Sequence, residues 1–135
     1  MELRYLLDTN TFIYIRRARP EAVLQRFRKL QPGEAGLSII TYGELLYGTA
    51  RSDRKAATEA QLQEILRALP VLPLPDEAPV VYGPLRAELE ARGIPIGNND
   101  LWIASHAMAA NLILVTNNER EFRRVRGLRV ENWAA

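Results

Sequence analysis

Leu112-Ile-Leu-Val-Thr116-Asn-Asn118 is the stretch on which the fold turns: an apolar run without a single charge passes straight into two asparagines. A run of that length and character reads as a strand, and the asparagine pair as the polar turn by which it leaves a sheet. Working outward, Arg4 to Leu7 repeats the pattern and ends at Asp8-Thr9-Asn10. A short helical stretch follows. Pro20 suits a first helical position, and Val23, Leu24, Phe27 and Leu30 recur at helical spacing until Pro32-Gly33 stops them. Ala35 to Ile40 reads as a second strand, and Thr41-Tyr-Gly-Glu44 opens a helix bearing Leu45, Leu46 and Tyr47. Ala56 to Leu69 continues as a long amphipathic segment, and Val71 to Leu74 is a brief strand. Val80 to Ala91 and Asp100 to Ala110 read as helices, and Leu128 to Val130 as a last short strand. Strands thus alternate with helices, which predicts a single α/β domain over residues 1–135. Its sheet should be mainly parallel, with right-handed crossovers and helices on both faces.

Composition bounds the function without choosing it. The chain has 135 residues, 47% of them hydrophobic and 25% charged, enough for a core that needs no staples. Cysteine is absent, which removes disulfides, thiolate metal sites and a cysteine nucleophile, and fits a reducing cytoplasm. No signal peptide opens the chain, and no apolar run approaches the roughly 20 residues that span a bilayer, so no membrane role is expected. The net charge is +2, carried by sixteen arginines against two lysines. Guanidinium pairs bidentately with phosphate and stacks on bases, as a nucleic-acid binder requires. An arginine-favouring source accounts for the same bias, and charge alone does not separate the two.

The chemistry comes from placement. In parallel α/β sheets the ligand site lies beyond the carboxyl ends of the strands, where strand order reverses. Asp8 follows the first strand, Glu44 opens the helix after the second, Asp100 opens a helix, and Asn117-Asn118 follows the run quoted above. Each acid alone has an ordinary explanation. Asp8 terminates a strand in an Asx-turn, Glu44 completes a Thr41-x-x-Glu44 capping box, and Asp100 complements a helix macrodipole. Together, three carboxylates at one sheet edge would repel one another unless a cation lay between them. A hard divalent ion such as Mg²⁺ accepts such an oxygen-only set, can orient a water, and supports in-line hydrolysis of a phosphodiester.

Other site types find no support. There is no GxxxxGK[ST] loop, no GxGxxG fingerprint and no GxSxG elbow. The single histidine, His106, reads as a helix-surface or packing residue, and Trp102 as core rather than a base-stacking platform.

Five strings in order, Leu6-Leu-Asp8-Thr-Asn10, Thr41-Tyr-Gly-Glu44-Leu-x-Tyr-Gly48, Ile96-Gly-Asn-Asn-Asp100-Leu-Trp-Ile-Ala104, Val115-Thr-Asn-Asn118-x-x-Glu-Phe122 and Val130-Glu-Asn-Trp133, resemble the PIN-domain family. More narrowly, they resemble the VapC toxins of type II toxin–antitoxin systems. The resemblance spans about residues 5 to 133. It implies a three-layer α/β/α sandwich with about five mainly parallel strands, and Mg²⁺- or Mn²⁺-dependent endonucleolytic cutting of structured RNA such as tRNA or rRNA loops. It also implies a VapB-like antitoxin as partner, and a homodimer. By position, Asp8, Glu44 and Asp100 match the metal-binding acids. Thr9, Asn10, Thr41 and Thr116 match polar positions that support them. Where many PIN domains carry a fourth acid this chain has Asn117-Asn118, which leaves the number of metals open. Either Asn118 acts through its carbonyl or a water, or Glu121 reaches in.

On this reading Mg²⁺ bridges Asp8, Asp100 and an RNA phosphate, and Glu44 orients or deprotonates the attacking water. Arg86 is the first candidate for a flanking phosphate, against an ordinary ion pair with Glu90. The antitoxin is expected on an apolar face around Phe12, Tyr14, Ile15, Leu46 and Tyr47. Two rival readings stand beside this one: a DNA or flap-structure nuclease on the same acids, and a non-catalytic RNA- or partner-binding module.

Overall fold

Parallel strands need a crossover between each pair, and helices supply it here. The computed structural model describes residues 2–135. Its strands are β1 (Tyr5–Leu7), β2 (Ala35–Ser38), β3 (Val71–Leu72), β4 (Ile113–Val115) and β5 (Val130–Glu131). The helices are α1 (Thr9–Arg17), α2 (Glu21–Arg28), α3 (Ile39–Arg51), α4 (Lys55–Leu66), α5 (Ala78–Ala91), α6 (Asn98–Ala109) and the single turn α7 (Glu119–Phe122). All strands lie in one sheet of order β3-β2-β1-β4-β5, and every neighbouring pair is parallel. The chain first walks one way from β1 to β3, then returns to build β4 and β5 on the other side of β1. The order therefore reverses between β1 and β4, which is where a site is expected.

Side-chain alternation splits the core in two. Tyr5 and Leu7 of β1 join Ala35, Leu37 and Val115 beneath Phe12, Ile15, Val23, Leu45 and Leu62. Leu6, pointing the other way, joins Leu114 beneath Leu85, Leu89, Leu101, Ile103 and Phe122. The sheet is thus covered on both faces, giving the three-layer α/β/α sandwich and explaining why its central strands carry no polar alternation. Gly36 leaves room where β2 meets β3. A Cβ there would stand 2.9 Å from the Pro70 carbonyl oxygen, closer than any side chain can be accommodated without movement. Among the described residues no helix is long and apolar enough to cross a membrane.

Several boundaries differ from the sequence reading. β2 ends at Ser38 rather than Ile40, because Ser38 Oγ accepts the Ile40 amide at 3.2 Å and starts α3 there. Thr41 therefore lies inside the first turn, and the Thr41–Glu44 capping box does not form. Pro20 precedes α2 as its cap residue, and β3 and β5 are shorter than expected. Phe12 and Ile15, expected on a docking face, are in the core at 0% and 7% exposure. The exposed large apolar residues are Ile39, Leu46, Tyr47 and Val80.

Candidate active site

The reversal point gathers the acids from four directions. Asp8 leaves β1 as the cap of α1: its Oδ1 accepts the Thr11 amide at 2.8 Å, and its own amide donates to the Val115 carbonyl of β4 at 3.0 Å. Thr11 Oγ1 donates to the same carbonyl at 3.1 Å, so the ends of β1 and β4 are tied together. Asp8 is buried, and that burial pushes its carboxyl above the usual range; hydrogen bonds from Thr116 and Thr11 oppose the rise, and the Glu44 charge adds to it.

Glu44 is held from α1, where Thr9 Oγ1 donates to its Oε1 at 2.6 Å. Asp100 stands in the first turn of α6 with its carboxyl raised to about 7. Burial is the largest cause, followed by the charge of Glu121, a hydrogen bond shared with Glu121, and the charges of Glu44 and Asp8. Glu121 reaches in from α7, accepting the Gly97 amide at 3.0 Å and the Asn118 side-chain amide at 2.6 Å. Asn118 thus turns its nitrogen toward an acid, and Glu121 lies against Asp100. The Asn118 backbone amide in turn donates to Thr116 Oγ1 at 2.9 Å.

Not every expected residue meets the site. Asn10 is exposed. Asn117 faces away, donating to Tyr14 Oη and accepting from Asn132, so it anchors the loop rather than the acids. Thr41 is fully buried with its hydroxyl unpartnered. Arg86 pairs with Glu90 at 3.0 Å and with Tyr82 Oη at 3.1 Å, the ordinary alternative anticipated for it. Trp102 is partly buried and stacks flat on Tyr82, with centroids 3.8 Å apart, while Tyr82 donates to Asn98. His106 is buried in packing, as expected. Sequence reasoning missed Ser38 and Thr11, whose hydroxyls look like strand and helix filler until the caps are seen.

An open cleft of about 460 Å³ runs past Glu44, Asn98, Asn99 and Asp100. Among the described residues, none of the four acids pairs with an arginine or lysine. As they stand, no three of the carboxylates close tightly enough to enclose an ion, and hydrogen bonds from Thr9, Gly97 and Asn118 occupy oxygens of Glu44 and Glu121. A cation that keeps several of its waters does not need them to close, and the oxygen-only donor set fits such an ion.

Residues 5–128 match the PIN domain model. The chain is 42% identical to Ribonuclease VapC2 of Haemophilus influenzae, over 97% of this chain and 98% of that protein. It is 39% identical to the tRNA(fMet)-specific endonuclease VapC of Salmonella typhimurium, again over 97% and 98%. Its structure superposes on VapBC2 from Rickettsia felis, crystallised with a DNA fragment from the promoter, with a TM-score of 0.90 at 39% identity, covering 98% of this chain and 99% of that one. A full-length match at this identity, on an all-parallel five-stranded sheet with an acidic reversal point, leaves one assignment: the chain belongs to the PIN-domain family, among the VapC proteins.

Proposed function

We propose that this chain is a metal-dependent endoribonuclease, the toxin of a toxin–antitoxin pair, and that it hydrolyses phosphodiester bonds in structured RNA, in tRNA or rRNA loops. The observation that carries the reading is the set of four mutually repelling acids, Asp8, Glu44, Asp100 and Glu121, at the reversal point with no cationic partner. The names of the relatives, ribonuclease and tRNA(fMet)-specific endonuclease, support the substrate class.

A divalent metal goes with PIN-domain nucleases in general, and we take it to be Mg²⁺ or Mn²⁺. Asp8 and Asp100 would hold it, with Glu44 and Glu121 beside them. When bound, it would polarise the phosphodiester and acidify a water. Glu44, fixed by Thr9, is placed to accept a proton from that water and to orient it. Asp8 cannot swing, since its capping bonds and the β1–β4 tie fix it, so the phosphate meets a preorganised edge. Glu121 hydrogen-bonds Asp100, whose raised carboxyl would give up its proton on binding a cation. Water rather than the ribose 2′-hydroxyl attacks, so the products carry 5′-phosphate and 3′-hydroxyl ends.

The test is cleavage of matched RNA and DNA oligonucleotides by the purified chain with Mg²⁺, with EDTA, and as Asp8→Asn. RNA cutting that needs Mg²⁺ and Asp8 is expected. Cutting that survives both treatments sinks the reading, and cutting of DNA alone replaces the substrate.

The neighbouring VapBC structures support a VapB-like antitoxin as partner. With Phe12 and Ile15 buried and Tyr14 half-buried with its hydroxyl on Asn117, its docking face is carried chiefly by Leu46 and Tyr47, which are 38% and 63% exposed, and Tyr47 lines a cleft shared with Glu44 and Thr9. Tyr47→Ala is expected to weaken antitoxin binding by about tenfold or more, as removal of an exposed aromatic anchor does. Titration calorimetry with the cognate antitoxin measures it, and an unchanged Kd would remove Tyr47 from the interface. Homodimerisation is carried forward as part of the same proposal, and sedimentation of the chain alone measures it.

A further inference from the structure

His106 is buried at 1% exposure, on the same helix as Asp100, and has no part in the chemistry above. Its Nδ1 lies 2.9 Å from Ser38 Oγ, a contact between residues 68 apart in the chain. Ser38 is itself fully buried and already engaged, because the same Oγ caps α3 by accepting the Ile40 amide at 3.2 Å. One hydroxyl therefore joins the start of α3 to the flank of α6, and these helices pack against each other. Glu44 follows Ser38 by six residues along α3, and Asp100 precedes His106 by six along α6. The bond is a direct polar link from the cap of the Glu44-bearing helix to the Asp100-bearing one. Burial holds the imidazole neutral, its pKa lowered to about 4, so Nδ1 serves the contact as donor in one tautomer and as acceptor in the other.

We propose that His106 is a positioning residue: through Ser38 it locks the first turn of α3 against α6 and so sets the separation of Glu44 from Asp100. The inference rests on those acids being cation ligands, as proposed above. A rigid helix transmits a shift of its first turn to every residue it carries. Losing the bond should therefore loosen a site it never touches, and partners one step removed from a metal typically change affinity by about 10- to 100-fold.

The experiment is Mn²⁺ binding to the full chain, followed by electron paramagnetic resonance, with the thermal midpoint in EDTA recorded alongside. His106→Leu and Ser38→Ala are each expected to raise the Mn²⁺ Kd by about tenfold. His106→Asn, whose amide can stand where Nδ1 stood, should restore most of the affinity. Leu62→Ala, a core truncation on the other face of the sheet, should lower the midpoint and leave the Kd alone. An unchanged Kd in both first variants, or an equal rise in Leu62→Ala, overturns the role of His106 while wild type still binds. Wild type that fails to bind Mn²⁺ overturns the carboxylate site and this inference together. Should His106→Leu not fold, Ser38→Ala decides on the same scale.

Discussion

Asp100→Asn is expected to lower RNA cleavage by at least about a hundredfold, and to raise the thermal midpoint of the same protein in EDTA. The two effects share a cause. A carboxylate lost from a metal site removes a few kcal/mol of transition-state stabilisation, and each 1.4 kcal/mol or so is about tenfold in rate. Yet without a cation that carboxylate only adds to the repulsion from Glu121, Glu44 and Asp8, which with burial drives its pKa to about 7. Asparagine keeps the shape and offers Glu121 a permanent donor in place of a shared proton. Cleavage rates at saturating Mg²⁺ and melting in EDTA measure the two halves. An Asp100→Asn protein that cuts RNA at the wild-type rate refutes the catalytic half; one that melts earlier in EDTA refutes the electrostatic half.

The second large effect is a dependence of stability on pH that metal should oppose. Asp100 has a folded pKa of about 7 against an ordinary value of 3.8, so across that window the folded state binds more protons than the unfolded. Its contribution is favourable at low pH and is lost as pH rises through 7. His106 works in the other direction. Its folded pKa is about 4 against 6.5, so it destabilises the fold as pH falls through that range. At about pH 6.5 against about pH 8 the Asp100 effect outweighs the smaller opposing one of His106, and the raised Asp8 acts in the same direction as Asp100, so the metal-free protein is less stable at the higher value. Mg²⁺ at about a hundred times its Kd should return about 2.7 kcal/mol there, and its affinity should fall toward pH 6.5 as protons compete for the site. Denaturant melts with and without Mg²⁺ at the two pH values decide it. A metal increment that does not grow with pH means that no cation competes with the Asp100 proton.

The parts of the fold that showed in the sequence are those where one physical demand dominates. β1 and β4 are covered on both faces, so their residues are apolar without alternation, and the acids and asparagines just past them mark the turns. β3 and β5 have two paired residues each and are only half covered, too little for a pattern. α7 is four residues long, shorter than any helical period that could announce it. The docking face was misjudged because Thr-Phe-Ile-Tyr-Ile in α1 is apolar nearly all round, and nothing local says that Phe12 and Ile15 turn inward. At the site, Asp8 and Asp100 were legible as acids after a strand and in the first turn of a helix, whereas Glu44, read as opening its helix, is the sixth residue of α3. Whether Asn118 or Glu121 reaches the acids was left open, since it depends on how the loop after β4 folds back, and Ser38 was hidden inside what read as strand.

The sheet order has a consequence for synthesis. The centre of the molecule is β1, made first, but its partner β4 is made more than a hundred residues later, and Leu6 waits for Leu114. On the ribosome, Asp8, Glu44 and Asp100 all emerge before the strand and turn that complete their surroundings. The acidic edge therefore cannot assemble until β4 and the turn after it have left the exit tunnel, when nearly the whole polypeptide is made.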